Sequence, residues 1–108
     1  MKEALAPLAD EVLGHFSHLY PQGTSLYLIL LGQADDDAAA EACIGRIWEV
    51  AMRIALDEGA AISHHHGVGL ARLPYIREAL STGMVPLRRL KDALDPANVM
   101  NPGKLGLT

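Results

Sequence analysis

The chain has 108 residues and a mass of 11.6 kDa, the size of one domain or part of one. Half of its residues are hydrophobic, which argues against a disordered segment, and a net charge of -4 argues against a nucleic-acid-binding face. The longest apolar run, Leu26–Leu31, is too short to span a bilayer, and the N-terminus lacks the apolar region of a signal peptide. A single cysteine, Cys43, excludes an intramolecular disulfide. We therefore expect a cytoplasmic protein that binds no nucleic acid and has no membrane span.

The first predicted element is an amphipathic helix over Lys2–Leu19. Its apolar residues recur at steps of three and four: Leu5, Leu8, Val12, Phe16 and Leu19. His15 and His18 would then lie on the exposed side of this helix. After the turn sequence Pro21-Gln22-Gly23, the apolar stretch Thr24–Leu31 predicts a strand that is buried on both faces.

A second, longer helix is predicted to begin at Asp35-Asp36-Asp37, where carboxylates favour a helix N-terminus, and to stop at Gly59. A short strand over Ala60–His64 follows, which gives the order strand, helix, strand. This part of the chain therefore predicts a small sheet crossed by one long helix.

The C-terminal part is predicted to be mainly helical. A short helix is expected around Pro74–Leu80, and a last helix begins near Ser81 or Thr82 and ends at Asp95-Pro96. The tail, Ala97–Thr108, is expected to be an extended arm. Together these elements predict an α+β fold, a partial ferredoxin-like cap domain formed by a single partial domain over residues 1–108.

The densest chemical signal is the stretch Ser63-His64-His65-His66-Gly67-Val68-Gly69. Three interpretations are open from the residues alone. The histidines are hydrogen-bonded groups of a polar loop, or His64 and His66 are two ligands of a metal ion, or the triplet handles protons. In an extended chain, His64 and His66 would point one way and His65 the other.

Two motifs carry a resemblance to a known family. The triple-histidine stretch is similar to that of alkyldihydroxyacetonephosphate synthases. The tail Leu94-Asp95-Pro96-Ala97-Asn98-Val99-Met100-Asn101-Pro102-Gly103-Lys104 resembles the ending of the wider FAD-linked oxidases, which include glycolate oxidases and D-lactate dehydrogenases. The two motifs occur in the order and roughly the spacing of that family.

The resemblance implies a set of site residues. Tyr27 would be the proton-handling residue of the active site, and His65 would be its base. His64 and His66, with Gly67, would contact flavin or substrate, and Asn98 and Asn101 would help to shape the same site. The substrate would be a small hydroxy acid or a glycerone-phosphate-type molecule, and no metal is implied.

The resemblance also implies FAD as cofactor. Because the chain has no glycine-rich phosphate-binding loop, we expect FAD to be bound mainly by a separate FAD domain of the parent protein. The isolated fragment is then expected to be inactive and to self-associate. The alternative is a small ligand-binding or interaction module without catalysis.

Overall fold

A computed structural model describes residues 1–107 of the chain. The helices are α1 (Lys2–Leu5), α2 (Asp37–Asp57), α3 (Leu73–Leu80) and α4 (Met84–Leu94), and the strands are β1 (Glu11–Tyr20) and β2 (Gly23–Leu31). Single turns of 3-10 helix lie at Ala6–Leu8, Ser81–Gly83 and Lys104–Gly106. The mixture of helices with an antiparallel sheet confirms the α+β class.

The chain divides into two compact units, Met1–Ile54 and a unit that begins at Ala55. The first contains α1, the strands and most of α2, with Leu5 and Val12 as its buried apolar residues. In the second unit the buried apolar residues are Ala55, Ile62, Ile76 and Leu107. Within residues 1–107, no helix is both long enough and apolar enough to cross a membrane.

The predicted first helix is wrong, because most of that segment is strand β1. Only α1 and one 3-10 turn containing Pro7 are helical before it. β1 pairs with β2 in antiparallel register, with Leu13 opposite Ile29 and His15 opposite Tyr27. The three-and-four spacing of apolar residues is compatible with a helix but does not exclude a strand. The partner strand, joined by a tight turn, decided between them.

β2 confirms the strand predicted at Thr24–Leu31, but its predicted burial on both faces is wrong. Leu26, Ile29 and Leu31 are exposed by 44%, 49% and 51%. In the described residues the sheet has only two strands, so each strand has one open edge. An apolar sheet face of this kind is normally covered by further structure.

Helix α2 confirms the clearest sequence prediction, and both of its ends have a physical cause. At its start, the Asp36 carboxylate accepts a hydrogen bond from the Ala39 amide at 2.8 Å. At its end, Gly59 has a φ of +68°, and the Ala60 amide donates to the Ala55 carbonyl at 2.8 Å. This left-handed glycine closes the helix in a Schellman motif.

The strand predicted at Ala60–His64 is wrong, since these residues form an irregular segment with bends. Ile62 is buried, but no other strand in the described residues pairs with this segment. α3 and α4 confirm the two C-terminal helices. Ser81 and Thr82 form a 3-10 turn that leads into α4, and neither caps that helix with its side chain.

The tail is not an extended arm over residues 97–107, and Thr108 lies outside the described residues. It turns around the buried carboxylate of Asp95, which accepts hydrogen bonds from the amides of Val99 and Met100, both at 2.9 Å. Lys91 forms an ion pair with the same carboxylate and donates to the Met100 carbonyl at 2.6 Å. Leu107, near the end of the tail, is buried.

The Lys91 hydrogen bond holds the pKa of the Asp95 carboxyl below its ordinary value of 3.8. Burial opposes this shift, and the amide bonds from Met100 and Val99 add to it. Because folding lowers this pKa, the ionised carboxylate stabilises the fold at neutral pH. That stabilisation is lost as the pH falls below 3.8 and through the folded-state pKa.

We predict that Asp95→Asn lowers the melting temperature of the 108-residue chain at pH 7, because the amide cannot form the ion pair or accept both amide bonds. The difference from the wild type should shrink as the pH is lowered below 3.8. Thermal unfolding followed by circular dichroism measures both effects. Asp92→Asn, at an exposed position of α4, is the control and should change little at either pH. Equal effects of the two variants would contradict the prediction.

Candidate active site

Tyr27 lies in the middle of β2, where it is half-buried. His15 is its cross-strand partner, with ring centroids 6.1 Å apart, and the ring centroid of His18 lies 6.5 Å from that of Tyr27. These separations fall within the range of about 4.5–7 Å at which aromatic rings interact. The first unit therefore gathers one phenol and two imidazoles.

The helix predicted over Lys2–Leu19 would put His15 and His18 on its exposed side, so this cluster was not predicted. The hairpin turn at Pro21-Gln22 was the available signal. Once it is used to pair the two flanking segments, it brings His15 opposite Tyr27.

The backbone at His18 is irregular. Its φ is +54°, and the strand register shifts between Ser17 and Tyr20. The Ser17 hydroxyl lies 3.0 Å from His18 Nδ1, and the Thr24 hydroxyl donates to the Ser17 carbonyl at 2.9 Å. Side-chain hydrogen bonds therefore surround the irregular position.

The histidine triplet forms a second cluster, in the second unit. The rings of His64 and His65 meet edge to face, with centroids 5.1 Å apart and their Nδ1 atoms 3.0 Å apart. The rings of His65 and His66 lie 4.2 Å apart with an angle of 33° between their planes. The segment bends and is not extended, so the alternation of an extended chain does not apply, and the rings of consecutive histidines lie against one another. All three residues are exposed.

Arg72 holds the loop that carries the triplet. It lies at the N-cap of α3, and its Nε donates to the Ile62 carbonyl at 3.0 Å. Its Nη1 donates to the Gly67 carbonyl at 3.4 Å. One guanidinium thus bonds the main chain on both sides of the three histidines. Gly67 allows the turn at the far side, since its φ is +70°.

Two buried oxygen atoms near these motifs have no hydrogen-bond partner within the described residues. One is the hydroxyl of Ser63, next to the triplet, and the other is Oδ1 of Asn98 in the tail. Asn98 and Asn101 have φ values of +49° and +47°, so both asparagines also serve left-handed turns of the tail. Unsatisfied buried oxygens are rare in proteins, and each calls for an explanation such as backbone strain, a catalytic role, or a bound water or ion.

The described residues have a cavity, but the predicted proton-handling residue is not part of it. A cavity of 880 Å³ in the first unit is lined by Leu8, Leu31, Ala40, Ile44 and Trp48 among others, and Tyr27 does not line it. Cys43, also in its wall, donates a hydrogen bond to the Leu8 carbonyl at 3.2 Å. Among residues 1–107, no three His, Cys, Asp or Glu side chains are grouped to hold a metal ion.

The predicted site residues are divided between the two compact units. Tyr27 belongs to the first compact unit, and His65 belongs to the second together with His64, His66, Asn98 and Asn101. The pairing of Tyr27 with His65 stays a prediction.

Comparison with known proteins decides the family. The family model described as FAD linked oxidases, C-terminal domain, matches residues 2–105. The chain belongs to this family. The resemblance seen in the histidine and tail motifs is thereby confirmed, and FAD is the cofactor with which the family is associated.

Curated relatives of this FAD-linked oxidase domain have several activities. An alkyldihydroxyacetonephosphate synthase of Trypanosoma brucei brucei is 32% identical over 92 residues, which are 84% of this chain and 15% of that protein. The glycolate oxidase subunit GlcD of Bacillus subtilis is 35% identical over 72 residues, covering 66% of this chain and 14% of that protein. A D-lactate dehydrogenase of Archaeoglobus fulgidus is 33% identical over 54 residues, 50% of this chain and 12% of that protein.

The chain thus corresponds to a small C-terminal part of proteins several times longer. It spans 15% of the synthase and 14% of the glycolate oxidase subunit. No solved structure matches this FAD-linked oxidase domain.

We predict that Arg72→Met loosens the histidine loop and lowers the free energy of unfolding by about 1–3 kcal/mol, since it leaves two carbonyls without a charged donor. Backbone order parameters of residues 63–67, measured by NMR relaxation in the 108-residue chain, should fall. Arg88→Met, at an exposed position of α4, is the matched control and should leave them unchanged. An equally ordered loop in both variants would show that Arg72 does not hold it.

Proposed function

We propose that this chain is the C-terminal substrate or cap region of an FAD-dependent oxidoreductase or an alkyldihydroxyacetonephosphate synthase-like enzyme. A separate FAD domain of the parent protein would bind most of the cofactor. The proposal is supported by the family match over residues 2–105 and by the activities for which the relatives are named. We further propose a cytoplasmic location, in keeping with the single, unpaired Cys43.

The observation that carries the proposal is the position of Tyr27. It is a half-buried phenol on a strand, and the ring centroids of His15 and His18 lie 6.1 and 6.5 Å from its own. A free phenol ionises near pH ~10, so proton transfer at neutral pH needs a neighbouring base. We assign proton transfer with the substrate to Tyr27, and we assign to His65 the role of accepting the phenolic proton.

The remaining predicted residues would contact flavin or substrate. His64 and His66 flank the proposed base on the loop held by Arg72, and Gly67 turns that loop. Asn98 and Asn101 lie in the tail that Asp95 organises. Donors and acceptors on short, hydrogen-bonded segments of this kind suit an anionic or carbonyl-containing molecule.

Two buried oxygens of the described residues are candidates for contact with the flavin. The partnerless oxygens of Ser63 and Asn98 can form hydrogen bonds with the polar edge of an isoalloxazine ring. When bound, FAD supplies an acceptor for two electrons. The protein residues would orient the substrate, exclude water and move its proton.

Two substrate classes remain open within the proposal. The histidine triplet is closer to the synthase pattern, which favours a glycerone-phosphate-type substrate. The Asn101-Pro102-Gly103-Lys104 ending is closer to the branch that oxidises 2-hydroxy acids. The alternative function, a ligand-binding or interaction module without catalysis, requires no FAD. Flavin titration of the complete parent protein separates this alternative from an enzyme.

We predict that Tyr27→Phe and His65→Ala, each made in the parent enzyme, lower turnover about 10²- to 10⁴-fold while FAD stays bound. Each variant removes one member of the same proton-transfer pair, so the double variant should be little worse than either single one. Steady-state kinetics and the flavin absorbance spectrum measure both properties. Tyr75→Phe, which removes a half-buried phenol from α3, is the control and should keep its activity. Full activity of Tyr27→Phe would contradict the role of the strand tyrosine.

We also predict that the isolated 108-residue chain self-associates, because its two-stranded sheet has open edges and exposes Leu13, Ile29 and Leu31 on one face. Sedimentation velocity should show dimers or larger species at high concentration. Ile29→Lys should weaken this association, whereas Val99→Lys, at an exposed tail position, should not. A strictly monomeric wild-type chain would contradict the prediction.

A further inference from the structure

The side chain of His18 in β1 does not lie on the face of the sheet that its position in the strand predicts. In a regular strand, successive side chains alternate between faces, so His18 should lie opposite to His15 and Ser17. Tyr27 is the cross-strand partner of His15 and shares its face. The ring of His18 nevertheless lies near Tyr27, with centroids 6.5 Å apart.

A β-bulge accounts for this placement. Ser17 pairs with Ser25 and Tyr20 pairs with Gly23, so β1 takes three steps where β2 takes two. His18 and Leu19 therefore share Thr24 as their opposite residue, and His18 adopts its positive φ at this point. Bulges redirect side chains in this way, and they are over-represented next to active sites.

The side chain of His18 is also held at one nitrogen. Its Nδ1 lies 3.0 Å from the Ser17 hydroxyl, and the Thr24 hydroxyl bonds the Ser17 carbonyl at 2.9 Å. When the serine hydroxyl donates to Nδ1, the imidazole carries its hydrogen on Nε2. Nε2 is then a hydrogen-bond donor on a ring that lies beside the phenol.

We propose that His18 is a positioning residue for Tyr27, with Nε2–H donating to the phenol oxygen. This inference rests on the proposed function, in which Tyr27 gives its phenolic proton to His65. The donated hydrogen bond stabilises the negative charge that remains on the phenol oxygen when that proton leaves. His15 shares the face with regular strand geometry, whereas the bulge and the serine contact both belong to His18, so the role falls on His18.

The test compares His18→Gln with His18→Leu. Glutamine places an amide donor near the position of Nε2, whereas leucine places none, and both residues must adopt the same positive φ. In the parent enzyme, His18→Leu should lower kcat about 10²-fold with KM unchanged, and His18→Gln should recover most of this loss. His15→Leu is the matched control and should keep kcat.

A spectroscopic measurement in the 108-residue chain tests the contact without any substrate. The ¹³Cζ resonance of labelled Tyr27 should shift in His18→Leu and in Ser17→Ala, and should stay near its wild-type position in His18→Gln and His15→Leu. Equal resonances in His18→Leu and the wild type, or equal kcat values for His18→Leu and His18→Gln, would overturn the inference. If instead Tyr27→Phe keeps full turnover, the proposed function fails, whatever the resonance shows.

Discussion

The antiparallel register between β1 and β2 determines where the chemistry of the first unit lies. Because side chains alternate along each strand, pairing Leu13 with Ile29 also places His15 opposite Tyr27. A slip of one residue would move Tyr27 to the other face of the sheet. The added residue at the bulge reverses that alternation once and brings His18 beside Tyr27. The geometry of this cluster follows from backbone pairing more than from side-chain packing.

In the second unit, the positions of the functional segments depend on hydrogen bonds between side chains and the main chain. Its irregular segments are held by charged side chains that bond the main chain: Arg72 holds the histidine loop, and Asp95 with Lys91 holds the tail. Such bonds satisfy backbone groups that the chain cannot pair in helices or strands. The unit therefore keeps two chemically distinctive segments ordered although few of its residues are fully buried.

Local signals in the sequence predicted the helices α2, α3 and α4 well. α2 follows from the carboxylates before it and the glycine after it, and the structure shows both acting through hydrogen bonds of the expected type. β1 was missed because a strand is decided by its partner, and apolar spacing along one segment does not contain that information. The motifs indicated the family and its expected site residues. The contacts of Arg72, Asp95 and His18 depend on loop and bulge geometry, which residue spacing alone does not specify.

The way Arg72 holds its loop has an evolutionary consequence. The guanidinium bonds the carbonyl oxygens of Ile62 and Gly67, and every amino acid offers the same carbonyl. The side chains between these two positions contribute nothing to those bonds, so substitutions there leave both hydrogen bonds intact. Residues 63–66 are thereby open to selection for reactivity, and the same scaffold can carry different groups at that place. Relatives of this domain are named as synthase, oxidase and dehydrogenase. A loop whose side chains can change while its backbone bonds stay the same suits a domain that serves different reactions.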